Sequence, residues 1–163
     1  MPEILDIINL NDQIIGQDTK ENIYLEKHMH RIVHIFIKDS SGRQLLQLRS
    51  IKSSYLPLHW STAVGGHVQS GESYEDAARR EMTEEIGILD CTLREIGRFF
   101  YEWIGPKKYL GVFEAIIDTG FMPSEQEVAE VRFFLLEEAQ ELIMTGEKIH
   151  PELKFLWEKI FMN

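Results

Sequence analysis

The most sharply bounded segment of the chain is a helix expected over residues 73–86. Ser73 with Asp76 three positions on is a capping-box arrangement, Ala78, Met82 and Ile86 recur every four residues as an apolar stripe, and Gly87 supplies the stop. A helix with one apolar stripe needs a surface to lie on, and the runs around it provide one. Ile4 to Leu10 and Gln13 to Gly16, divided by Asn11-Asp12, read as a hairpin. His30 to Ile37 reads as a central strand, which turns at Asp39-Ser40-Ser41-Gly42 into Gln44 to Arg49. Leu93 to Glu102, Tyr109 to Ile117 and Val131 to Leu135 are further strands. Two amphipathic helices follow, Leu136 to Met144 and Pro151 to Phe161, while Ile51 to Ser61 has no clean period and reads as a loop. Hairpins and helices interleaved in this order predict an α/β fold in which helices cover the faces of a mixed sheet.

All 163 residues are expected to form a single domain, because one core usually spans about 100–200 residues. With 44% hydrophobic and 27% charged residues, the chain matches folded water-soluble proteins rather than disordered or membrane ones. No apolar run approaches the roughly 18 residues of a membrane span, so no membrane partner is expected. The first residues, MPEILDIINLNDQ, carry acids where a signal peptide carries bases, and Cys91 has no second cysteine to bond; a cytoplasmic location is the expectation. Seventeen basic against 27 acidic residues leave a net charge of −10, which disfavours nucleic acid as a partner. An anionic substrate then needs a local source of positive charge.

The helix itself points to that source. At about 100° per residue, Glu81, Glu84 and Glu85 fall within one arc of its surface. Like charges at these spacings repel by about 0.2–0.5 kcal/mol per pair. They also stand in the last turns, where the helix dipole favours cations. A hard divalent cation on the arc removes both penalties, and an all-oxygen donor set selects Mg²⁺, with Mn²⁺ as the alternative, over zinc. Arg80 lies outside the arc and is expected to pair with Glu72 from the preceding loop. Ala77 is expected to keep the carboxylate face low, and Gly65 and Gly66 to allow backbone geometry closed to other residues.

Residues 66–88 carry Gly66, Glu72, Arg80, Glu81, Met82, Glu84, Glu85, Gly87 and Ile88 at the spacing G-x5-E-x7-R-E-U-x-E-E-x-G-U, with U a bulky aliphatic. At every specified position the segment resembles the signature of the Nudix hydrolase superfamily. The resemblance implies the Nudix fold over residues 1–163, an α-β-α sandwich with a mixed β-sheet, and a signature that binds catalytic divalent metal. It implies hydrolysis of a diphosphate (pyrophosphate) linkage in a nucleoside diphosphate derivative or related diphosphate. Carried over position by position, the metal ligands fall on Glu81, Glu84 and Glu85, with the Gly65 carbonyl as an additional one. The proton acceptor falls on Glu85 or on a later carboxylate, Glu127. The implied partner is a small-molecule diphosphate, and a homodimer is left open.

Over the rest of the chain the layout is similar to the branch related to isopentenyl diphosphate isomerase, through the amino-terminal hairpin with Gly16, His30-Arg31, Trp60 and Gly66-His67. Two departures turn the reading toward hydrolysis. The isomerase cysteine falls on Gly65, and of its second metal site only His30 and His67 are matched, with Ile23 and Lys107-Lys108 at the other positions. Isomerases also carry a degenerate signature, whereas this one is intact. An isomerase-like enzyme and a non-catalytic nucleotide-binding regulator are the alternatives. Tyr55, Trp60, Phe100, Tyr101 and Trp103 are candidates to stack a base, and Arg49, Lys52, Lys107 and Lys108 to meet phosphates. His28, His34, His59 and His150 read as ordinary surface or core histidines.

Overall fold

The computed structural model describes residues 1–163. At the amino terminus, β1 (Ile4–Ile8) and β2 (Ile14–Thr19) pair antiparallel as a separate ribbon. Asp12, in its turn, ties the ribbon down: it accepts from Arg31 Nε at 2.7 Å and from the Tyr74 hydroxyl at 3.0 Å. A short helix, α1 (Lys20–Leu25), follows, with Thr19 accepting from the Asn22 N–H as its cap.

The main sheet contains β3 (His30–Lys38), β4 (Gln44–Arg49), β5 (Trp60–Thr62), β6 (Val64–His67), β7 (Arg94–Tyr101), β8 (Lys108–Ile116) and β9 (Val128–Phe134). It is mixed, because β3 runs parallel to β8 and antiparallel to β4 and β6. The β3–β4 pairing is brief, holding only Ile37 to Leu45 and Lys38 to Gln44. Beyond it the two strands part. β3 pairs instead with β6, from Ile32–His67 to Ile35–Val64, while β4 lies between β5 and β9. Residues 60–67 therefore begin on one half of the sheet and end on the other, and the site forms at this parting.

Strand alternation splits the core in two. Val33, Ile35 and Ile37 of β3 face Ala78, Met82 and Ile86 of α2 (Tyr74–Ile86). Ile32 and Phe36 face the other way, onto Ile143 of α3 (Leu136–Thr145) and Leu153 and Trp157 of α4 (Pro151–Phe161). Helices thus cover both faces, as the element order predicts. The capping box at Ser73 and the left-handed stop at Gly87 form as expected. Gly111 of β8 admits the Tyr74 ring, which a Cβ there would strike.

Three local expectations change. The polar stretch after β2 contains α1, too short to show a period. Two further strands form: β5 takes the end of the stretch expected to be a loop, because Trp60 to Thr62 pair with β4, and β6 runs through Gly65 and Gly66, residues with low strand preference whose pairing is imposed by β3. Ala77 is fully buried in the core rather than bordering an open carboxylate face; its one methyl suits the contact of α2 with β6. No helix is long and apolar enough to cross a membrane.

Candidate functional site

Glu81 and Glu85, one turn apart on α2, point inward to the parted sheet and are 9% and 6% exposed. Glu84 does not join them. Its side chain is 51% exposed, and Oε2 accepts from Arg80 Nη1 at 3.1 Å. The third inward carboxylate comes instead from the segment before β9. There the Met122 N–H donates to the Ile86 carbonyl (2.7 Å), the Ser124 N–H to the Glu85 carbonyl (2.8 Å), and the Ser50 N–H to the Glu127 carbonyl (3.0 Å). These bonds pin the segment between the end of α2 and the end of β4, and they carry the Glu127 side chain to the helix. Gly87, at φ +71°, is required for this approach, since a Cβ there would lie 2.8 Å from Met122 Cβ. One oxygen from each of Glu81, Glu85 and Glu127 lies within 4.8 Å of the others.

The cluster is electrostatically tense. Burial, and then the neighbouring charge of Glu81, push the Glu85 carboxyl well above the usual carboxylate range. Burial raises Glu81 as well, against the hydrogen bond from Glu85 and the Arg80 guanidinium. Burial followed by the charge of Glu84 raises Glu127. Gln47 Nε2 orients Glu85 by donating to Oε1 at 2.8 Å and to the Ala63 carbonyl at 2.9 Å. Arg80 holds the other side: it donates to Glu72 from Nε (2.7 Å) and Nη2 (2.9 Å), to Glu81 from Nη1 (2.9 Å), and to the His67 carbonyl from Nη2 (3.0 Å). The expected Arg80–Glu72 pair is therefore present, within a wider clamp. Two buried carboxyls and an exposed third, mutually repelling and all-oxygen, suit a hard divalent cation that takes the place of their protons.

Gly66 faces this cluster so closely that a Cβ would collide with the Glu81 carboxylate. The obstacle is the end of a side chain, so Gly66→Ala is expected to cost only about 1–3 kcal/mol of stability. By displacing Glu81 it is expected to weaken Mn²⁺ binding about tenfold or more, as displaced metal-site groups do. Calorimetric titration with Mn²⁺ beside a thermal melt checks both.

Glu85, Gly65 and Gly66 line one end of a cavity of about 420 Å³ that passes through the parting of the sheet. The other end is lined by His34, Lys108, His150 and Glu152. His34 and His150 are buried core histidines, within the sequence reading, and both line this end of the cavity. His34 Nε2 donates to Glu152 Oε1 at 2.9 Å, Lys108 Nζ to Glu152 Oε2 at 2.9 Å, and His150 Nδ1 accepts from the Glu152 N–H at 3.1 Å. The only local signal was His150-Pro151-Glu152, a helix start; nothing in it points to a histidine 118 residues away. His30 and His67 stack with centroids 5.6 Å apart, and the Tyr24 hydroxyl lies 2.7 Å from His67 Nε2. Burial keeps both rings neutral, His30 lowered to about 4 and His67 well below the usual range. Of the aromatic candidates, Tyr55 lines the cavity. Trp60 packs edge-on against Phe134 and Tyr101 against Phe155. Arg49 and Lys108 also line it, whereas Lys107 turns to Glu102 at 3.8 Å.

A NUDIX domain model matches residues 28–154. The chain belongs to the Nudix family. An uncharacterised Nudix hydrolase of Pseudomonas aeruginosa is 34% identical over 144 residues, 86% of this chain and 85% of that protein. The uncharacterised Nudix hydrolase YfcD of Escherichia coli is 32% identical over 136 residues, 83% of this chain and 76% of its own length. Among solved structures, DR0079 from Deinococcus radiodurans superposes with a TM-score of 0.85 at 26% identity, covering 98% of this chain and 99% of that one. Family and fold together make the chain a hydrolase acting on diphosphate bonds.

Proposed function

We propose that this Nudix protein is a cytoplasmic, Mg²⁺-dependent hydrolase, one domain over residues 1–163, that cleaves the diphosphate linkage of a nucleoside diphosphate derivative or related small molecule. The carrying observation is the convergence of Glu81, Glu85 and Glu127 within 4.8 Å. These three would hold the ion first. Glu84 would join by leaving Arg80, and the Gly65 carbonyl is the further ligand; Mn²⁺ is the alternative ion. Such an ion supplies Lewis acidity toward phosphoryl oxygens and lowers the pKa of bound water.

The chain's own groups do the rest. Gln47 keeps one Glu85 oxygen fixed, so the other is presented to the cluster. Arg80 keeps Glu81 aligned with the loop through Glu72. Glu127, the exposed member of the cluster, whose pKa is raised by desolvation and by the charge of Glu84, is the candidate to take a proton from attacking water. Glu85 is the other candidate for that proton. Gly65 at the position of the isomerase cysteine supports hydrolysis over isomerisation.

A panel of diphosphates with product identification tests this reading. Turnover is expected with Mg²⁺, to stop in EDTA, and to return on adding Mg²⁺ or Mn²⁺. Glu84→Gln is expected to lower turnover about 10²-fold or more, the equivalent of a few kcal/mol of transition-state stabilisation, without lowering the melting temperature. Turnover that persists in EDTA, or a fully active Glu84→Gln protein, contradicts the proposal.

A further inference from the structure

The end of the cavity away from Glu85 is built from charges that the proposed hydrolysis does not use. Lys108 opens β8 on the face it shares with Leu110 and Val112, and His34 stands on the β3 face of Ile32 and Phe36, so both reach the cavity from the α4 side. Glu85 reaches it from the α2 side. Gly65 and Gly66 separate the two. A Cβ on Gly66 would strike Glu81, and one on Gly65 would come 3.2 Å from His34 Nδ1, so the two positions look toward opposite ends. With glycine at both, only backbone stands between the ends.

Lys108 and Glu152 are 12% and 7% exposed at their side chains, an ion pair withdrawn from water. Burial alone would raise the Glu152 carboxyl, but the His34 hydrogen bond and the Lys108 charge hold it well below the usual carboxylate range. Such a pair adds little stability, because each ion has lost several kcal/mol of hydration. It does hold an ammonium at a cavity wall, where one of three N–H groups goes to Glu152. His150 adds a second donor. Its Nδ1 accepts from the helix backbone, so Nε2 carries the proton, and burial keeps the ring neutral by lowering it to about 3. The charges of Arg49 and Lys20, also on the cavity wall, reach His150 and His67 respectively. Glu152 is the one carboxylate lining this end, in a chain of net charge −10.

We propose that this end binds an oxyanion carried by the substrate outside the hydrolysed linkage, a phosphate or a carboxylate, with Lys108 touching it and Glu152 and His34 positioning Lys108. The substrate class narrows to diphosphates whose second moiety is itself acidic. This rests on reading the Glu81, Glu85 and Glu127 end as the place of diphosphate hydrolysis.

Two matched pairs test it: a nucleoside diphosphate joined to a hexose or to the corresponding hexuronate, and a dinucleotide diphosphate without or with a ribose 2′-phosphate. Dissociation constants are measured by calorimetry with Mg²⁺, and hydrolysis is followed alongside. The wild-type protein is expected to bind the acidic member of one pair at least tenfold more tightly than its neutral partner, and the pair that shows it identifies carboxylate or phosphate. The double variant Lys108→Met/Glu152→Gln removes both charges together, leaving no buried carboxylate unpaired, and is expected to bind both members equally. If that variant does not fold, His150→Asn keeps a capping acceptor, removes the Nε2–H, and is expected to reduce the preference at least threefold. Equal binding of both pairs by the wild type, or a preference that survives either folded variant unchanged, overturns the proposal. If no compound is hydrolysed, the hydrolase reading falls while the binding ratios still decide this one.

Discussion

Glu85→Gln is expected to abolish hydrolysis while raising the melting temperature of the metal-free protein. The activity loss follows from removing a buried carboxylate from the cluster within 4.8 Å, and a loss of about 10³-fold corresponds to the several kcal/mol that a bound ion contributes. The stability gain follows from the same feature. Glu85 is 6% exposed, and burial with the adjacent Glu81 charge raises its pKa well above the usual range. A carboxyl whose folded pKa exceeds its unfolded value near 4.3 favours folding at low pH, and that contribution is lost as pH rises through the folded value. The metal-free wild type should therefore lose stability as pH rises above the unfolded value. The glutamine variant lacks this slope, because its amide keeps the oxygen that Gln47 meets and offers an N–H to Glu81. The gap should reach about 1–3 kcal/mol at alkaline pH, or roughly 2–4 °C per kcal/mol. Melts in EDTA from acid to alkaline pH measure it, and a variant less stable than wild type across that range contradicts the account.

Arg80→Ala is expected to be the most destabilising single change at the site. Its guanidinium bonds Glu72 at 2.7 and 2.9 Å, Glu81 at 2.9 Å, Glu84 at 3.1 Å and the His67 carbonyl at 3.0 Å. Glu72 and Glu81 have side chains only 18% and 12% exposed, so truncation leaves two carboxylates short of both charge and donors. Breaking a buried pair costs about 3–5 kcal/mol; partial exposure here brings the expected loss to about 2–4 kcal/mol. Arg80→Lys keeps the charge without the planar fork and should recover less than half of it. Denaturant unfolding of the three proteins orders them, and an Arg80→Ala protein as stable as wild type contradicts the clamp.

The elements most legible in the sequence were those with strong local chemistry. Helix α2 announced both ends, because Ser73, Asp76 and Gly87 satisfy its terminal backbone groups from within the segment. Strand β3 announced itself through β-branched alternation, and Arg80 with Glu72 through the signature spacing. β6 did not, because its two glycines pair only where β3 holds them. The site was half legible. Glu81 and Glu85 point inward as the helical arc requires, but Glu84, on the same arc, turns out to Arg80, and Glu127 fills the place beside them.

The sequence by itself determined the fold class, the helix that carries the glutamates and the family to which the chain belongs, because periodicity, caps and signature spacing are local and are written in consecutive residues. Only the tertiary structure decided which carboxylates meet and what lies across from them. Glu127 reaches Glu85 through backbone bonds from Met122 and Ser124, and His34, Lys108 and Glu152 converge from β3, β8 and α4. Those meetings depend on how β3 and β4 part and on which way each strand faces. That geometry is set by packing between distant segments, and no single stretch of the chain contains it.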